Sequence, residues 1–303
     1  MSAGQYETFD NRARLFAKSA RLDRLYTGCR FTEGPAYFPA GRYLIWSDIP
    51  NDRMLRYDEC DGSVSVFRQP SNKTNGNVVD RRGRLVSCEH GARRVTRTEI
   101  DGAVTVLADS YDGKRLNSPN DAVVKSDGSI WFTDPQYGID SDYNGFKAEQ
   151  EQPGAFVYRI DPGDGSLRVV IDTMVRPNGL AFSPDEKLLY VADTGGTHAE
   201  NGPAHIRKFA VADDGALKDL GVLADCTAGL FDGFRVDSDG RIWSSAADGV
   251  HVYDPDGTLL GKILVPEGVT NVCFGGPRLN YLYITATSSL YGIPVLVNGD
   301  KTF

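Results

Sequence analysis

Apolar positions in this chain fall in short runs separated by turns of Gly, Pro, Asp and Ser. Runs bounded by such turns read as β-strands. Arg176 to Thr194 shows the unit clearly. Pro177-Asn178-Gly179 opens it, Leu180 to Phe182 is a strand, Ser183 to Glu186 is a turn, and Leu188 to Ala192 is a second strand. Asn178 stands out, because it puts an oxygen donor directly before an apolar strand.

The pattern recurs. Glu33, Asn75, Asn120, Asn178, Asp232 and Asn271 each open a comparable unit, at spacings of 42, 45, 58, 54 and 39 residues. Gly41, Gly83, Gly128 and Gly240 each fall eight residues after an opener, so the register is not arbitrary. Each opener leads a first strand and a second strand follows the turn. Two more runs complete most units, as Arg53–Tyr57 and Ser63–Phe67 do in the first. A period of roughly 40–55 residues with four strands per unit is the signature of a β-propeller. The expected fold is all-β: a six-bladed β-propeller of four-stranded blades, forming a single domain over 1–303. The sixth unit is one strand short. Residues 21–26, in the lead-in 1–30, are expected to supply that strand and to close the last blade.

Composition agrees with this architecture. The 303 residues are 41% hydrophobic, with 33 Gly, 14 Tyr and 14 Phe, ample for a large core with many turns. A net charge of −8 gives no basic footprint for nucleic acid. No run of about 18 apolar residues is present to span a membrane, and the N-terminus lacks an apolar signal core. Cys29, Cys60, Cys88, Cys226 and Cys273 are odd in number and form no CxxC, which reads as reduced thiols in a cytoplasmic protein.

In a propeller the first strand of each blade lines the central channel, so six openers in register converge. Singly, Asn and Asp before a strand are ordinary turn residues. As a set they supply two carboxylates and four amide oxygens, enough to balance one divalent hard cation. Ca²⁺ is the first choice, with Mg²⁺, Mn²⁺ and Zn²⁺ as alternatives. No thiolate or imidazole shares the register, which argues against an ordinary zinc site. The motifs GxSxG, GxGxxG and GxxxxGK[ST] are all absent.

The stretches EGPAYF at 33–38, SPNDAVVKSDG at 118–128, RPNGLAFSPD at 176–185 and DGFRVDSDGRIW at 232–243 carry a resemblance. They resemble the senescence marker protein / gluconolactonase / luciferin-regenerating enzyme family, over about residues 30 to 290. TNGNVVDRRGRLVSCEHG at 74–91 places the chain nearest the bacterial gluconolactonase-like members. The resemblance implies a six-bladed propeller with one catalytic divalent metal, its ligands falling on Glu33, Asn120, Asn178 and Asp232. It also implies substrate contacts near Arg115 and Asn117. The expected reaction is hydrolysis of a sugar-acid lactone, with Asp232 as general base. Asp121, Glu89 and His90 are further candidates at the substrate site. Asp48, Asp134 and Asp193, which follow second strands, are expected to anchor loops. The loops 135–153 and 195–205 are expected to shape the mouth. Two other readings share these residues: a phosphotriester or fluorophosphate hydrolase on the same metal set, and a non-catalytic propeller binding metal or protein.

Overall fold

The computed structural model describes residues 5–12 and 14–300. Six antiparallel sheets form a ring, and the first strand of each packs against the first strand of the next. The first strands are Thr32–Phe38, Thr74–Val79, Ala122–Val124, Pro177–Phe182, Phe234–Val236 and Val269–Gly275. The second strands are Tyr43–Asp48, Leu85–Glu89, Ile130–Asp134, Leu188–Asp193, Ile242–Ala246 and Tyr281–Ala286. Each pairs with the first strand of its own sheet across the turn read from the sequence. Among the described residues, helix is limited to Tyr137–Asp140 and two short 3₁₀ turns.

Burial explains the runs. Inner strands are covered on both faces by neighbouring blades, so they read as nearly continuous apolar stretches. The outermost strands alternate or lie exposed, as Val64–Arg68 and Val104–Ala108 do. Trp46, Trp131 and Trp243 lie in alternate second strands, the last two at the same position, and all three are fully buried. Trp131 meets Phe182 edge-on at 5.3 Å, and Trp243 meets Phe274 at 5.6 Å. In both cases the partner belongs to the first strand of the next blade. These contacts fill the wedge between sheets, where large rings bury most area.

The sixth sheet is completed as expected. Asp23–Thr27 pairs with Ser289–Pro294, with Asp23 opposite Gly292 and Thr27 opposite Ser289. One feature was not expected. Tyr6–Thr8 adds a fifth, outer strand to the fifth sheet, pairing with Leu259–Leu264. No helix among the described residues is long and apolar enough to cross a membrane.

Candidate active site

The openers reach the axis through local backbone devices. Pairing slips between Glu33 and Ala36, Thr74 and Asn77, Pro177 and Leu180, and Val269 and Asn271. Each slip is a bulge at an opener, and a bulge re-aims the side chain out of the strand's alternation. In the third and fifth sheets the strand starts just after the opener instead.

Glycine follows four of the six openers, and the reason is close approach. A Cβ on Gly34 would stand 2.1 Å from the Asn75 carbonyl oxygen, and one on Gly76 would stand 2.4 Å from that of Asn120. On Gly179 it would meet the Asp232 carbonyl oxygen at 2.3 Å, and on Gly233 the Asn271 side chain at 2.0 Å. Asn75, Asn120, Asp232 and Asn271 thus each pack against the glycine of the preceding blade. Asn271 closes the circle, its Nδ2 donating to Glu33 Oε2 at 3.1 Å.

A second device fixes the approach to the openers. Asp48 accepts the Arg30 N–H at 2.9 Å. Asp134 accepts the N–H groups of Asn117 and Ser118, each at 2.8 Å. Asp193 accepts those of Val175 and Arg176, each at 2.9 Å. In all three blades the clamp begins three residues before the opener. These carboxylates are the expected loop anchors.

The channel ends are therefore distinct. The openers crowd one end. At the other, the same six strands line a cavity of about 260 Å³, with Ala36, Val78, Phe182 and Arg235 among its walls.

With this geometry in place, comparisons with known proteins are decisive. Residues 31–288 match the family described as SMP-30/Gluconolactonase/LRE-like region. The chain belongs to this family. It is 30% identical to a gluconolactonase of Zymomonas mobilis over 296 residues, covering 90% of this chain and 80% of that one. It is also 30% identical to a pentonolactonase of Haloferax volcanii, covering 86% and 82%. A solved structure of a Xanthomonas campestris gluconolactonase superposes with a TM-score of 0.88 at 43% identity, covering 96% and 94% of the two chains. The calcium-binding protein regucalcin from Agrobacterium tumefaciens shares the fold, with a TM-score of 0.72 at 19% identity and coverage of 92% and 95%.

Within this family member, the structure brings Glu33, Asn178 and Asp232 together. Burial, then the charge of Glu33, pushes the Asp232 carboxyl well above its ordinary range, and the Asn178 amide lies beside it. Glu33 is raised by burial and by Asp121. The Asn178 Oδ1 is buried without a partner, and so is the Oδ1 of Asn75. Asn120 is buried against blade two, its carbonyl oxygen accepting the Gly76 N–H at 2.8 Å. An orphaned amide oxygen beside carboxylates that resist ionisation fits a cation with oxygen ligands. Among the described residues no group of three or more His, Cys, Asp or Glu is arranged to hold a metal; the cradle mixes carboxylates with amides.

The other candidates are dispersed. Glu89 is held by Arg94 at 2.7 Å, Thr96 at 3.0 Å and Asn72 at 3.0 Å, so its carboxylate is already satisfied. Asn117 is fully buried and donates to the carbonyls of Asp134 and Gly154, holding the Asn120 loop. Arg115 is exposed at the rim, donating to the Ala92 carbonyl at 3.1 Å. His90 is buried one layer behind the openers. Its Nδ1 lies 3.0 Å from the Asn144 carbonyl and its Nε2 lies 3.1 Å from the Asn75 Nδ2. A carbonyl can only accept, so Nδ1 carries the proton and Nε2 accepts from the Asn75 amide. Burial lowers the His90 pKa to about 4, which keeps the ring neutral and this polarity fixed.

Sequence reasoning did not single out Tyr137, Thr194 or Arg176. The Tyr137 hydroxyl bonds Thr194 Oγ1 at 2.6 Å, and Asn178 Nδ2 reaches the same oxygen at 3.5 Å. Arg176 lies over the Tyr137 ring at 5.0 Å and pairs with Asp140 at 2.6 Å. The loop 135–153 also touches blade one, through the Tyr143 hydroxyl on the Arg30 carbonyl at 3.2 Å. The available signal was the set of aromatic residues in a polar loop, Tyr137, Tyr143 and Phe146.

Proposed function

We propose that this protein hydrolyses the lactone ring of a sugar acid, a glucono-type aldonolactone first, as a carboxylic ester hydrolase. The relatives named gluconolactonase and pentonolactonase support the substrate class. Glu33, Asn120, Asn178 and Asp232 would hold one divalent cation, Ca²⁺ ahead of Mg²⁺, Mn²⁺ or Zn²⁺. The name of the Agrobacterium neighbour, a calcium-binding protein, supports that order. A cation held there would polarise the lactone carbonyl and stabilise the oxyanion.

The chain's own residues do the rest. Asp232 accepts a proton as water adds to the carbonyl carbon, and returns it to the ring oxygen as the C–O bond breaks. Glu33 supplies the second negative charge of the cradle. Asn75, its amide oriented by His90, offers a free oxygen to a sugar hydroxyl. Arg115, at the rim, is the proposed partner of a more distant hydroxyl. The observation that carries this reading is the unpartnered, buried Asn178 oxygen beside Glu33 and Asp232.

The test is lactone opening followed in a pH-stat, with spontaneous hydrolysis subtracted. Chelation is expected to abolish turnover and to lower the melting temperature, because a ligand bound only by the native state stabilises it. Adding back the cation should restore both. Full turnover in exhaustively metal-free protein would end the reading.

A further inference from the structure

The cradle has more negative charge nearby than its two acidic ligands supply. Asp121 follows the opener Asn120 and is 2% exposed. It stands where four other blades carry glycine, and a Cβ on Gly76 would come within 2.7 Å of its Oδ1. Its Oδ2 lies 3.5 Å from the Asn271 Nδ2, the same nitrogen that donates to Glu33. Glu33, Asp121 and Asp232 therefore form one group, with Asn271 shared between the first two. Glu33 in turn shares a side-chain hydrogen bond with Asp232. A divalent cation alone would leave this trio one charge out of balance.

Arg235 supplies the difference. Its Nη1 is 3.4 Å from Asp121 Oδ2 and donates to the Phe234 carbonyl at 2.7 Å. It enters from the cavity at the far end of the channel, which it also lines. Three carboxylates and one guanidinium total −2, the charge of a site matched to a divalent ion.

We infer that Arg235 is a resident countercharge, paired to Asp121 beneath the cradle, that sets which cation charge the site prefers. This rests on the metal reading above. The physical argument is that a fixed charge changes an ion's binding free energy in proportion to that ion's own charge. Removing Arg235 favours every cation, but a trivalent one more than a divalent one of similar size. The ratio of the two affinities isolates this effect. Both ions start from the same metal-free protein, so any protons that protein holds cancel in the ratio.

The experiment compares Ca²⁺ and La³⁺ binding by calorimetry at fixed pH and ionic strength. The proteins are the parent chain, Arg235→Met, Asp121→Asn and the double variant, each melted to check folding. Arg235→Met is expected to raise the La³⁺ to Ca²⁺ affinity ratio by about tenfold or more, the order expected for one charge several ångströms away at intermediate dielectric. Asp121→Asn should lower the ratio, and the double variant should return near the parent value. If Arg235→Met does not fold, Arg235→Gln, which removes the same charge and keeps a polar side chain beside Asp121, carries the test with the same expected rise. Unchanged ratios in folded variants would reduce Arg235 to a packing residue and overturn the inference. A parent chain that binds neither ion would overturn the metal reading as well, so the two failures are distinguishable.

Discussion

At the scale of single residues, Glu33 and Asp232 look alike and are assigned different work. Both are carboxylates that burial pushes upward; the charge of Glu33 then raises Asp232, and that of Asp121 raises Glu33. Only Asp232 is given a proton-transfer role. Glu33→Gln and Asp232→Asn each keep an oxygen and remove one charge, so both should weaken cation binding. At saturating cation Glu33→Gln is expected to recover much of its kcat. Asp232→Asn should stay down by on the order of 10²–10⁴-fold, the usual range for a lost general base. The measurement is kcat on glucono-lactone at cation levels shown by titration to saturate; equal recovery would move the base elsewhere. His90 gives a prediction with a sign. Its folded pKa, about 4, lies below the ordinary value of 6.5. The unfolded chain therefore binds the proton first, and stability is lost as pH falls below about 6.5, down to about 4. By pH 5 the loss is about 2 kcal/mol. Glu33, raised in the folded state, works in the opposite direction. Both proteins share that term, so comparing the parent with His90→Gln isolates His90. The variant's unfolding free energy should fall less on acidification from pH 7 to pH 5, and parallel curves for the two proteins would refute the assignment.

At the scale of elements, the openers depend on the strand ends behind them. Asp134 closes its strand by accepting two backbone N–H groups in the run-up to Asn120. Asp134→Ala leaves both donors buried without an acceptor, at about 1–3 kcal/mol each. A loss of about 3 kcal/mol in unfolding free energy is expected, together with weaker cation binding, because Asn120 lies in the loosened segment. Asp134→Asn retains an acceptor and should lose less of both. If Asp134→Ala is destabilised but binds the cation like the parent, the clamp supports the fold without positioning Asn120. The anchors were legible in the sequence because an Asp at the end of a second strand recurred at Asp48, Asp134 and Asp193. Glu89 ends its strand too, yet its longer side chain reaches Arg94 and Asn72 instead of two backbone donors. Asn117 shows the limit of a motif read without depth. It sits beside the opener in sequence, but the clamp turns its amide inward to the carbonyls of Asp134 and Gly154.

At the scale of the whole molecule, the ring was readable because every blade repeats an opener, a first strand, a turn and a second strand around one axis. Pairings between distant blades were not. Asp121 and Arg235 are 114 positions apart, and nothing local in either motif marks the other. The strand Tyr6–Thr8 escaped notice for another reason: three residues without apolar alternation carry no strand signal. The strand Asp23–Thr27 was found because the sixth unit needed a fourth strand. The two N-terminal strands differ in what they hold, and truncation should separate them. Tyr6–Thr8 adds an outer edge to a sheet already complete, with Tyr6 packed on Phe16 at 4.8 Å. Deleting residues 2–9 removes a few edge hydrogen bonds at about 0.5–1.5 kcal/mol each, so the melting temperature should fall by only a few degrees. Asp23–Thr27 joins the start of the chain to its last sheet. It covers the edge of Ser289–Pro294 and sets Tyr26 on Trp46 of blade one at 5.7 Å. Beyond it, the N–H groups of Gly28 and Cys29 reach the Ser288 carbonyl, and that of Thr32 reaches Thr287. These bonds hold the first blade against the last, where Asn271 meets Glu33. Deleting residues 2–28 should therefore expose a sheet edge that pairs with other copies, and open the ring at the cradle itself. The expected result is a shift to species larger than the parent on size exclusion and loss of cation binding in any fraction that still elutes at the parent's size. A deletion variant that elutes like the parent, melts near it and binds the cation normally would show that the ring closes without this strand.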